Sequence, residues 1–72
     1  MEKSYGVAFV HPREPTLYYT GRAGSLWLSE NRKDAFCEYT KERAAYIGQQ
    51  RAYYNNVTLG GYTPIVIEKE EV

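Results

Sequence analysis

The stretch Thr40-Lys41-Glu42-Arg43-Ala44-Ala45-Tyr46-Ile47-Gly48-Gln49-Gln50-Arg51-Ala52-Tyr53-Tyr54-Asn55-Asn56 decides the fold. Ala, Glu, Lys, Arg and Gln dominate it, and all are strong helix formers. Thr40 offers an N-cap oxygen to the orphan amides of a first turn. Asn55-Asn56 ends the segment, because Asn tolerates the left-handed conformation of a helix terminus. The pattern predicts a helix over residues 41–54. At about 100° per residue, Ala44, Ala45, Ile47, Gly48 and Ala52 fall on one broad face. Such small side chains let a helix lie close to a sheet. Tyr46 and Tyr53 stand on the opposite side, with Gln49 and Glu42.

The flanking segments supply that sheet. Residues 4–10, SYGVAFV, alternate as a strand, with Tyr5, Val7 and Phe9 on one face. Gly6 and Ala8 leave the other face thin, which suggests that the helix packs there. His11-Pro12-Arg13-Glu14-Pro15 breaks the strand. Residues 16–20, TLYYT, form a second β-rich run, and the short polar link argues for an antiparallel hairpin. Ser25-Leu26-Trp27-Leu28 is a further short strand or an extended segment, and its hydrophobic triple is expected to be largely buried. Ser29 and Glu30 suggest a short helix over 30–36 that turns Ala35 and Phe36 inward. Residues 37–39 read as strand or as more helix, with a break favoured because Thr40 caps anew. Val57-Thr58-Leu59-Gly60-Gly61 is a loop or weak strand. Residues 62–69, YTPIVIEK, form a last strand, where Pro64 marks a start or an edge. The charged tail 68–72 is expected to fray. The sum is one α+β domain over residues 1–72. It is a small two-layer fold, with one main helix packed on a three- to four-stranded, mostly antiparallel sheet.

Composition narrows the function classes. The chain has 72 residues, with nine Lys plus Arg against nine Asp plus Glu, so the formal charge is zero. That balance argues against a generally basic nucleic-acid binder and against an acidic disordered tail. No apolar run approaches the ~20 residues that span a bilayer. The first residues lack the basic and small-residue features of a signal peptide. A soluble, cytoplasmic protein without a membrane partner is the expectation. The single cysteine, Cys37, excludes an intrachain disulfide, fits a reducing compartment and reads as a small buried hydrophobe. With one His, it cannot complete a structural zinc site.

Catalytic and cofactor motifs are missing, so no enzyme, metal or cofactor is expected. Gly21-Arg22-Ala23-Gly24 is too short for a phosphate loop and lacks its Gly-Lys-Ser/Thr ending. His11 reads as a solvated turn residue, and nothing in the spacing pairs it with Cys37. Glu30, Asp34, Glu38 and Glu42 recur every four residues, as a solvated helix face does.

The unusual feature is tyrosine: eight Tyr against two Phe and one Trp. A tyrosine hydroxyl needs water or an acceptor, so in so small a core several rings must reach the surface. Tyr46, Tyr53 and Arg43, with Tyr39, are candidates for an exposed stripe. Arg51 lies towards the apolar face, its stem packed and its head reaching out. Tyr18 and Arg22, with Tyr54, are candidates to extend the patch. Tyr and Arg anchor protein interfaces, and they also stack on unpaired bases and contact phosphates. Two partner classes follow. The first is a protein, which includes a second copy in a homodimer, since a chain this short has little stability in reserve. The second, disfavoured by the neutral charge, is single-stranded nucleic acid. The alternative is that these rings only cover a sheet edge or a dimer seam.

A strand, a Tyr-containing strand and Trp27 precede Ala35-Phe36-Cys37-Glu38-Tyr39-Thr40-Lys41-Glu42-Arg43-Ala44. In that order the chain resembles the short, uncharacterised ββαβ proteins encoded by bacteriophages and prophages. The resemblance spans roughly residues 4–67. It implies a small fold in a phage setting, binding of a host or phage macromolecule, and for some such proteins a block on host defence. It carries over no catalytic residue. The proline-rich first turn and the tyrosines of the helix depart from the pattern.

Overall fold

The structure is a computed structural model that describes residues 3–69. Helix α1 is Lys41–Tyr54, and Thr40 Oγ1 accepts the Arg43 N–H at 3.1 Å. At its other end the Asn55 backbone N–H and Nδ2 both donate to the Arg51 carbonyl, at 3.1 and 3.0 Å. Asn56 then takes the left-handed conformation, φ 55°. Four strands accompany α1: β1 Tyr5–Val10, β2 Leu17–Tyr19, β3 Leu28–Ser29 and β4 Thr63–Glu68. Short 3-10 turns lie at Gly24–Leu26, Arg32–Asp34 and Val57–Gly60. The sheet order is β3-β2-β1-β4, and every neighbouring pair is antiparallel. With α1 against one face of this sheet, the fold is a small α+β arrangement of two layers.

The main core joins Val7, Phe9 and Tyr19 of the sheet to Ala44 and Ala52 of α1. Trp27 closes it from the side, edge-on to Phe9 at 5.7 Å and to Tyr19 at 6.4 Å. Gly48 sets the spacing of the layers. A Cβ there would meet Val7 Cγ1 at 3.1 Å and Pro64 Cβ at 3.4 Å. The helix thus covers the Val7 and Phe9 face of β1, not the Gly6 and Ala8 face assigned to it from the sequence. Its buried stripe is Ala44, Gly48 and Ala52, with Ile47 half-buried, while Ala45 is exposed.

The thin face of β1 carries a smaller cluster of Ala8, Cys37 and Ile67, flanked by Tyr18 and Ala35. Residues 36–39 lie over it in extended form. The Phe36 N–H donates to the Tyr19 carbonyl at 2.9 Å, and Tyr5 and Tyr39 exchange two backbone hydrogen bonds at 2.8 and 3.0 Å. The helix expected over 30–36 is only the Arg32–Asp34 turn. Ser29 and Asn31 explain the shortfall, because their side chains bond locally and compete with helical hydrogen bonding. Asn31 Oδ1 accepts the Lys33 N–H at 3.0 Å, and Ser29 Oγ accepts the Asn31 N–H at 3.1 Å. Phe36 accordingly turns outward, 39% exposed.

Leu26 also departs from expectation, at 62% exposed, whereas Trp27 and Leu28 pack on the core. The Thr20 hydroxyl donates to the Leu26 carbonyl at 2.6 Å. This holds the turn by its backbone and leaves the side chain outside. His11, read as a solvated turn residue, is a latch. Its Nδ1 accepts the Arg13 and Glu14 N–H groups at 2.9 and 3.0 Å, so the proton is on Nε2, which donates to the Gly60 carbonyl at 3.0 Å. Val57–Gly60, read as loop or weak strand, is the 3-10 turn that this latch grips. Glu68 closes β4 opposite Tyr5, and the Lys69 N–H donates to the Ser4 carbonyl at 2.8 Å. The rest of the tail expected to fray, residues 70–72, lies outside the described residues.

Candidate functional site

The periodicity that buries Ala44, Gly48 and Ala52 turns Tyr46 and Tyr53 to solvent, 55% and 76% exposed. Seven residues separate the two rings by roughly 10 Å along the axis. The Arg43 guanidinium sits 5.5 Å from the Tyr46 ring centre, and Tyr53 meets Tyr54 edge-on at 5.4 Å. Tyr54 is itself 70% exposed. Four side chains therefore form one aromatic and cationic surface along the outer side of α1. Arg43 makes no ion pair among the described residues.

The other sequence candidates lie elsewhere. Arg51 stands over the buried Tyr19 ring at 5.7 Å. It shares an open cleft of about 480 Å³ with Arg22, between the loop after β2, Trp27 and the last turn of α1. Tyr39 is half-buried against the main core, its ring 5.2 Å from that of Phe36. It is a wall of the core rather than part of an exposed stripe. Tyr18 faces the opposite side of the sheet, beside the Cys37 cluster, with the Arg32 guanidinium 5.9 Å away. The patch drawn from sequence thus divides into a helix face, a cleft and a residue behind the sheet. The cleft is what sequence reasoning missed. Its signal was present in Gly21-Arg22-Ala23-Gly24 beside Trp27, a segment rejected as a phosphate loop while its Arg22 was assigned to the tyrosine patch of the helix.

Burial pushes the Tyr39 phenol above its ordinary value, and the adjacent Tyr19 hydroxyl adds to this, while Arg51 and Arg43 pull it back. Burial likewise raises the Cys37 thiol, opposed by Arg32 and Lys69. An acid whose pKa is higher folded than unfolded holds its proton more tightly in the folded state. Its stabilisation is complete below the ordinary value and vanishes as pH rises through the raised one. The melting temperature should therefore hold steady up to about pH 9, then fall as Cys37 and afterwards Tyr39 begin to ionise. Cys37→Ala should remove the earlier part of that fall and Tyr39→Phe the later part. Melting curves of both variants that track the parent throughout would show these groups to be uncoupled from folding.

Among the described residues, no group of three or more His, Cys, Asp or Glu side chains is arranged to hold a metal ion, and no helix is long and apolar enough to cross a membrane. Compared with protein-family models, curated proteins and solved structures, the chain matches none.

Proposed function

We propose that the chain is a small non-enzymatic interaction module that binds a protein partner, or a second copy of itself, through the outer face of α1. The observation that carries this reading is the exposure of Tyr46 and Tyr53 directly opposite a fully packed stripe of small residues. Neither ring is needed to seal the core. Large exposed aromatics beside an arginine are the side chains that become binding hot spots once a partner excludes water. Tyrosine suits the task because its ring loses little entropy and its hydroxyl finds an acceptor across the interface. A phage or prophage origin, a bacterial cytoplasmic setting and inhibition of a host system extend the same proposal.

The double variant Tyr46→Ala/Tyr53→Ala should keep its melting temperature, since surface substitutions typically stay within about 0.5 kcal/mol. Each lost anchor should weaken association by about 2 kcal/mol, roughly 30-fold. Light scattering across a concentration series reads self-association. Affinity capture followed by purified reconstitution reads a foreign partner. A variant that unfolds, or one that associates as the parent does, would remove the basis for this reading.

A further inference from the structure

The cleft beside Trp27 lies on a different surface from the tyrosines of α1. The whole chain is neutral, with nine cations and nine anions. Yet Arg22 and Arg51 both line this concavity and no carboxylate does. Neither arginine makes an ion pair among the described residues. Two cations gathered on one concave surface without a carboxylate among its lining residues favour an anion.

The geometry specifies more than charge. The Arg51 guanidinium is held over the Tyr19 ring, its carbon 5.7 Å from the ring centre. Its planar fork of N–H donors makes no ion pair among the described residues, and such a fork suits a bidentate acceptor such as phosphate. Arg22 approaches from the facing loop, which leaves β2 through Gly21, φ 77°. A helix C-terminus disfavours an anion. Here the Asn55 backbone N–H and Nδ2 both donate to the Arg51 carbonyl, which satisfies one of the free carbonyls at that end. The remaining wall is the half-buried indole of Trp27. At about 480 Å³ the cleft is larger than a bare phosphate needs and falls within the size range of small-ligand sites. We propose that it takes a nucleoside phosphate, with the phosphate between Arg22 and Arg51 and the planar base against Trp27. That chemistry is shared by free mononucleotides and by the phosphorylated end of a single strand.

Trp27 is the only tryptophan, so its indole N–H gives one unambiguous NMR signal. The full chain is titrated with AMP, UMP, adenosine, inorganic phosphate, and a short oligothymidylate with and without a 5′-phosphate. The expected result is a saturable shift of the Trp27 indole and Arg51 signals with the mononucleotides. Weaker shifts are expected with adenosine or phosphate alone. Arg22→Ala should weaken nucleotide binding at least about tenfold, as loss of a charged hydrogen bond does. It should fold normally, because the loop bonds through the Arg22 backbone N–H to Thr20 Oγ1. Tighter binding of the phosphorylated oligonucleotide than of either mononucleotide assigns the ligand to a strand end, and the reverse order assigns it to the free nucleotide. Absence of any Trp27 shift, equal binding of adenosine and AMP, or equal binding of phosphate and AMP would overturn the proposal. So would an Arg22→Ala variant that binds as the parent does. Tyr46→Ala should leave the titration unchanged, and an equal loss in that variant would place the binding on the helix face instead.

Discussion

Phe9→Ala should remove a large share of the chain's stability. Phe9 is fully buried and, with Val7, is among the largest side chains sealed from solvent. It bears on Trp27 from one side and on the small-residue stripe of α1 from the other. Truncating a buried Phe costs about 3–5 kcal/mol, because transfer energy is lost and a cavity remains. Chains of this length have roughly 4–11 kcal/mol in total. Urea unfolding followed by circular dichroism would read the loss as a collapse of the midpoint. A shift worth less than about 1 kcal/mol would mean that the ring is not the centre of the core.

Gly6→Ala should come second, although it adds only a methyl group. A Cβ at Gly6 would lie 2.7 Å from Cys37 Sγ and 2.7 Å from the Phe36 carbonyl oxygen. The thiol can rotate away. The carbonyl belongs to the backbone that runs into the Tyr5–Tyr39 bridge, so residues 36–39 must lift. Overpacking of this kind costs about 1–3 kcal/mol, and each bridge hydrogen bond lost adds about 1 kcal/mol. Besides lower stability, the variant should show faster amide exchange at Tyr39 and quicker alkylation of Cys37. Parent-like exchange and alkylation would show that the segment accommodates the methyl without moving.

The same two positions show where sequence reading succeeded and where it failed. The helix over 41–54, its Thr40 cap, the first hairpin and the Pro64-marked final strand were legible. Each rests on local chemistry: propensity, capping, alternation and a missing donor. The face of β1 that receives the helix was not legible. Gly6 and Ala8 looked like a berth for a helix, but α1 brings its own smallness at Ala44, Gly48 and Ala52. It therefore meets the large side chains Val7 and Phe9, large against small. The glycine face takes a neighbour that sits closer still, a bare stretch of extended backbone. The shortened helix near Arg32 has a similar cause, since side-chain hydrogen bonds from Ser29 and Asn31 outweigh modest propensity. The candidate site was half legible. Tyr46 and Tyr53 follow from helical angle alone. The separation of Tyr18 and Arg22 from them depends on which strand faces carry them and where the chain turns, and pattern does not reveal that.

The antiparallel pairing of β1 with β4 sets Ser4 beside Lys69. A folded segment whose first and last strands are neighbours, as residues 4–69 are here, can be spliced into an exposed loop of a carrier protein through linkers of only a few residues. The carrier's own backbone would then enter and leave by the same corner, with no stretching of the sheet. Such a graft would display the domain on a rigid mount for capture assays and crystallography.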